Sequence, residues 1–255
     1  MKKEFIKNRL GQKIAVLIEE VPNQKGIVFI MHGLGGFKEQ PQMETIAKTF
    51  ISNGYTSVRF DTTNTIGESD GKYEDATTTN FYNDLEDVID WAKSQSWYQE
   101  PFCLVGLSLG GICTALYSEK NPEEILALGP LSTVVSGKIN VQSIPKEDLE
   151  NWQKTGWRIK TSNSKPGVEL KLKWSHIEDR LKYDLLPLAH KLTMPVLMVV
   201  GENDKSTPLQ EERLLFEKLP GKKELHIIKD AGHTFRAPEH LEELKEILDH
   251  LIKSL

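Results

Sequence analysis

The chain is poor in the features that would place it outside the ordinary globular enzymes. It has only two cysteines, Cys103 and Cys113, each set among apolar residues. They read as small buried hydrophobes and not as a disulfide framework. No apolar run approaches the roughly 20 residues that span a bilayer. The opening stretch Met1-Lys2-Lys3-Glu4-Phe5-Ile6-Lys7 turns polar again where a secretory signal would carry its apolar core, so a cytoplasmic location is expected. There is no positive surplus. A formal net charge of -5 works against binding a phosphate backbone, which depends on clustered Lys and Arg displacing counterions. Neither a nucleic-acid nor a membrane partner is expected, and no repeat or low-complexity tract is present.

What is there fits one full-sized α/β domain. The 255 residues are 38% hydrophobic and 27% charged, enough for a large core and a solvated surface. Short branched apolar runs recur at Ile27–Met31, Tyr55–Phe60, Phe102–Leu107, Ile125–Leu131, Pro195–Val200 and Leu225–Ile228. Helical periodicity separates them, at 42–52, 78–94, 109–120, 209–219 and 238–253. This alternation predicts a mostly parallel sheet with helices on both faces. Lys3–Asn8 and Lys13–Glu19, joined by a short glycine-containing link, add an antiparallel edge pair and bring the expected count to eight strands. The rhythm lapses between Ser132 and Pro187, a Lys-rich stretch with three tryptophans and no segment that reads as a strand of the sheet. It is read as an inserted cap, with the core formed by 1–131 and 188–255.

The chemistry concentrates at strand ends. Phe102–Leu107 runs into Gly106-Leu107-Ser108-Leu109-Gly110 and then a helix, the strand–turn–helix context in which Gly-x-Ser-x-Gly exposes a nucleophilic serine. A chance match is common for five loosely specified residues, but a chance match in that context is not. Ile27–Met31 ends in His32-Gly33-Leu34-Gly35-Gly36, a turn able to set the Leu34 N–H beside that of Leu109 as an oxyanion hole. His32 abuts the turn and is read as a structural hydrogen-bonder. A late strand leads into Gly201-Glu202-Asn203-Asp204, making Asp204 the candidate acid, with Glu202 as its rival. The last strand leads to His233, the candidate base. The resulting chain order, Ser, Asp, His, is that of the α/β-hydrolases and not of chymotrypsin or subtilisin.

With these residues in place, the chain resembles the α/β-hydrolase superfamily, and within it the capped branch of feruloyl esterases and monoacylglycerol lipases. Ser57-Val58-Arg59-Phe60-Asp61 followed by Gly67-Glu68-Ser69-Asp70-Gly71 is similar to the loop those esterases carry after their fourth strand. Two departures stand out. The Thr62–Gly67 loop is one residue longer and lacks a glycine, and Leu107 stands where the branch often has His. The resemblance implies hydrolysis of carboxylic esters with small, aromatic or medium-chain acyl groups through an acyl-enzyme, without metal or organic cofactor. It leaves amide, thioester and carbon–carbon hydrolysis open. Trp152 and Trp157 either contact the acyl group from the cap or form the cap's own core. Two other classes fit the sequence less well. A dinucleotide oxidoreductase would use Gly33–Gly36 and Asp61, but Lys38 falls where the third glycine belongs. A non-catalytic binding protein would leave the serine, aspartate and histidine idle. The sequence is compatible with a homodimer and does not specify one.

Overall fold

A computed structural model describes residues 1–255. Its main sheet has eight strands. In chain order these are β1 (Lys2–Lys7), β2 (Lys13–Glu19), β3 (Gly26–Met31), β4 (Tyr55–Phe60), β5 (Phe102–Leu107), β6 (Ile125–Leu131), then β9 (Val196–Gly201) and β10 (Lys223–Ile228). Their spatial order is β1-β2-β4-β3-β5-β6-β9-β10. The β1–β2 and β2–β4 pairs are antiparallel, and every later pair is parallel. The strands match the apolar runs to within two residues because β3, β5 and β9 are buried along their whole length and are apolar nearly throughout, as strands covered on both faces usually are; β4 is equally buried but carries Thr56 and Arg59, whose side chains are hydrogen-bonded.

Alternate side chains feed two cores. Ile27, Phe29 and Met31 point to one face and join Phe102, Leu104 and the helices α2 (Thr78–Ala92) and α3 (Leu109–Lys120). Val28, Ile30, Cys103, Val105 and Leu107 point to the other, against α1 (Pro41–Ser52) and α8 (Pro238–Lys253). The last helix shows why it forms: Pro238 opens it, Glu239 sits in its first turn, and Leu244, Leu248, Leu251 and Ile252 make one buried stripe. Full burial of each of these side chains is worth about 1.5–3 kcal/mol. No helix is long and apolar enough to cross a membrane.

Between β6 and β9 lie the short helices α4 (Gly137–Gln142), α5 (Lys146–Thr155) and α6 (Ser175–Arg180), together with β7 (Trp157–Thr161) and β8 (Glu169–Lys173). The last two pair antiparallel as a separate two-stranded sheet, which the sequence reading did not foresee. Charged residues mask the alternation in Glu169-Leu170-Lys171-Leu172-Lys173, whose exposed and more buried positions nonetheless alternate. Beyond β9, α7 (Leu209–Lys218) completes the helices.

The chain reverses its strand order at β3, with β4 on one side and β5 on the other. A crevice opens at such a point outside the carboxyl ends of the strands. The loops after β3, β5, β9 and β10 therefore leave the same sheet edge.

Candidate active site

Ser108 occupies the turn between β5 and α3 with φ 58° and ψ -112°, a backbone state costly for any residue with a Cβ. The turn is tight because glycines flank it. A methyl on Gly106 would meet the Gly110 carbonyl oxygen at 2.3 Å, and one on Gly110 would meet the His32 oxygen at 2.6 Å. Ser108 sits where a serine usually caps a helix, yet its hydroxyl makes no capping bond. It lies instead 2.9 Å from His233 Nε2. The other ring nitrogen, Nδ1, is 2.8 Å from Asp204 Oδ2.

Asp204 is held on every side. Its side chain is fully buried, and its Oδ1 accepts from the amides of Ser206 (2.8 Å) and Thr207 (3.0 Å). Thr207 Oγ1 lies 2.9 Å from Oδ2 and 3.0 Å from the Ser132 carbonyl. Burial works to raise the pKa of this carboxyl, but the His233 ring and the two amides outweigh it and hold the group below its ordinary value. An anionic Asp204 accepts a hydrogen bond from Nδ1–H, which keeps the proton on Nδ1 and leaves the Nε2 lone pair free to face the serine. Glu202 is exposed and accepts from the Asp230 amide at 3.0 Å, with no bond to His233.

The glycine turn after β3 passes directly beside the serine, so that a methyl on Gly33 would sit 3.1 Å from Ser108 Cβ. Neither the Leu34 amide nor that of Leu109, the first residue of α3, donates to another protein group; a helix leaves its first amides free. His32 fixes the turn from below. It is fully buried, Thr62 N–H donates to its Nε2 at 3.1 Å, and its Nδ1–H therefore donates to the Gly33 carbonyl at 2.8 Å. Burial lowers its pKa, consistent with a neutral ring.

Asp61, Glu39 and Glu68 approach one another closely, but the buried Lys38 ammonium already fills their centre, 2.8 Å from Asp61 and 2.6 Å from Glu68. Asp61 also accepts from the amides of Lys38 and Glu68, which leaves it no role as a ribose acceptor.

A cavity of about 50 Å³ opens at Ser108 and His233, lined by Leu34, Gln42, Ser164 and Arg236 among others. Ser164 comes from the tip of the β7–β8 hairpin, whose tip is tied down by polar contacts. Gln40 Nε2 and Arg236 Nη2 each donate to Ser164 Oγ at 2.8 Å, and Lys165 Nζ donates to the Ile66 carbonyl at 2.5 Å. A larger surface groove of about 420 Å³, bounded by Gln24, Trp97 and Tyr98, contains none of the candidate residues and no nucleophile–base pair, so the smaller cavity is the better candidate.

Neither of the two tryptophans for which an acyl contact and a local core were both open lines the cavity. Trp152 is buried within segment 132–187, its Nε1–H donating to the Leu172 carbonyl at 3.1 Å and its ring stacked on His176. Trp157 packs under the ammonium groups of Lys171 and Lys173. Of the two roles open to them, the local core is the one the packing supports for Trp152, while Trp157 is only half-buried and belongs to neither core. Gln42 and Arg236 do line the cavity and had no signature in the sequence.

An eight-stranded, mostly parallel sheet that presents a serine–histidine–aspartate chain at its carboxyl edge defines an α/β-hydrolase. Within that class the chain belongs to the X-Pro dipeptidyl-peptidase (S15 family), whose family model matches residues 35–234. Among curated proteins it is similar to the mouse mitochondrial palmitoyl-protein thioesterase ABHD10, with 25% identity over 236 residues covering 90% of this chain and 76% of the relative. Among solved structures, Est1E from Butyrivibrio proteoclasticus with ferulic acid bound superposes with a TM-score of 0.84 at 23% identity, covering 98% of both chains. Mouse alpha/beta hydrolase domain-containing protein 10 superposes at 0.81 and 22% identity, covering 100% of this chain and 99% of that one. The chain is a hydrolase with esterase-like and thioesterase-like neighbours.

Proposed function

We propose that this hydrolase cleaves carboxylic esters through Ser108 as nucleophile, His233 as base and Asp204 as the orienting acid, with 132–187 as a cap over the pocket. The observation that carries this reading is the continuous chain Ser108 Oγ–His233 Nε2 at 2.9 Å and His233 Nδ1–Asp204 Oδ2 at 2.8 Å. Ser108 Oγ attacks the carbonyl carbon while its proton passes to His233 Nε2. The Leu34 and Leu109 amides hold the resulting oxyanion, and losing one such donor typically costs about 2.7–4 kcal/mol of barrier. The carbon–oxygen bond to the alcohol then breaks as His233 returns the proton to it, leaving an acyl group on Ser108. Water attacks that acyl carbon, gives its proton to His233, and the acid departs as Oγ recovers the proton. The chemistry calls for no metal or organic cofactor, and the small cavity suits short acyl groups.

Thioester cleavage by the same steps is the second reading, favoured by similarity to a protein named as a palmitoyl-protein thioesterase. The deciding experiment compares wild type with Ser108→Ala on p-nitrophenyl esters of increasing acyl length, methyl ferulate and an acyl thioester. Turnover of esters by wild type with a loss of about 10⁶-fold in the variant is expected. Equal activity of the two proteins would remove Ser108 as nucleophile, and turnover of the thioester alone would replace the ester reading.

A further inference from the structure

The cavity beside Ser108 is lined by groups that lack partners inside the protein. Gln42 is 1% exposed, and both its amide nitrogen and its amide oxygen are buried without a hydrogen bond. It lies in the first turn of α1, on the cavity wall. Arg236 follows His233 by three residues, and its Nε is likewise buried and unpartnered. Its terminal nitrogens donate only to neutral acceptors, the Asn163 carbonyl and Ser164 Oγ. No carboxylate lies within ion-pair distance of it, although the chain has 37 acidic residues available. Burial alone pushes the guanidinium below its ordinary pKa, with no anion opposing the effect.

The cavity wall contains no Asp or Glu. Other unpartnered buried polar atoms, such as those of Glu212, Thr133 and Ser136, lie outside this lining. Buried polar groups in folded proteins are ordinarily satisfied, and buried charges are ordinarily paired. A guanidinium without an anion and an amide without partners, both on residues of one reactive cavity wall, are what a group supplying oxygen acceptors and negative charge would satisfy once the side chains turn toward it. A carboxylate does both, and an arginine with free N–H donors is the side chain best shaped to hold it.

We propose that the site selects esters carrying a free carboxylate a few bonds from the scissile carbonyl, the half-esters of short dicarboxylic acids, with Arg236 as ion partner and Gln42 as hydrogen-bond partner. The short reach follows from the size of the cavity, about 50 Å³, and from the closeness of Arg236 to His233 in the chain. The proposal deepens the ester-hydrolase reading and rests on it.

The test measures kcat and KM by pH-stat for monoethyl glutarate against ethyl pentanoate, which has the same acyl length without the charge. Wild type should prefer the anion by at least about tenfold in kcat/KM, chiefly through KM, since an ion pair present before and during reaction binds both states alike. Arg236→Gln should lose that preference and Arg236→Lys should keep part of it. Arg236 also holds the hairpin tip, so Gln42→Met, which leaves those contacts intact, is the second variant and should reduce the preference severalfold. A wild type indifferent to the charge, or a preference intact in both Arg236→Gln and Gln42→Met, would overturn the proposal. If wild type cleaves neither ester, the ester-hydrolase reading fails separately. Calorimetry on Ser108→Ala with the same two esters then decides the proposal, with selective binding of the anion supporting it and equal or absent binding of both refuting it.

Discussion

Glu119 gives a prediction whose size can be worked out from the structure. The residue lies in the last turn of α3, next to Lys120, where free carbonyls already carry negative partial charge. It is 3% exposed, and its Oε1 has no hydrogen-bond partner. Burial, reinforced by Asp184 and opposed by Lys191, pushes its carboxyl from 4.5 up to about 8. Between those values the folded chain holds a proton that the unfolded chain has released. Stability therefore falls as pH rises, being fully present below about 4.5 and lost through about 8. From pH 5.5 to 8 the loss is about 3 kcal/mol at most, at 1.36 kcal/mol per pH step. Glu119→Met removes the titration and keeps the volume. Urea unfolding of both proteins, followed by circular dichroism at pH 5.5, 6.5, 7.5 and 8.5 with unchanged m-values, gives a difference curve in which the titrating groups that do not interact with Glu119 cancel. The variant's advantage should grow by about 2–3 kcal/mol across that range. A flat difference would mean that the carboxyl ionises in the folded protein as it does in water, and the argument from burial would be wrong.

Two further outcomes test the site. Asp204→Asn should lower kcat by about 10⁴-fold while leaving the far-ultraviolet spectrum unchanged, because the amide still fills the space but no longer fixes the Nδ1–H form of His233. Gly106→Ala should destabilise the fold by about 1–3 kcal/mol in chemical denaturation, since its methyl would lie 2.3 Å from a backbone oxygen that cannot swing away; a neutral effect would show that the turn is looser than its contacts imply.

Much of the frame is written locally. A strand buried on both faces is usually apolar nearly throughout, so β3, β5 and β9 stand out from their neighbours, and Gly106 and Gly110 mark a turn that admits no Cβ. The loops that carry Ser108, Asp204 and His233 follow directly from those strand ends. The hairpin of β7 and β8 was hidden by its lysines, though Leu170 and Leu172 alternate as a strand requires and Gly167 adopts φ 80° between the two strands. Trp152 was legible as an anchor but not as to which side it anchors; its indole N–H is satisfied by Leu172, inside the segment. Gln42 and Arg236 could not be found from spacing. One lies in the first turn of α1 and the other follows β10, and only the closing of the sheet brings them to a common wall. Glu119 reads as a solvated helix residue until α3 is seen to be buried on nearly every side.

The distances among the reacting groups are set by the hydrogen-bond register of β5, β6, β9 and β10, four neighbouring parallel strands. A stretch as long as 132–187 is accommodated between β6 and β9 while the serine, histidine and aspartate keep contacts of 2.8 and 2.9 Å. The architecture thus separates a sheet whose register fixes where the reacting groups stand from a long excursion between β6 and β9 that adds chain without interrupting the strand order.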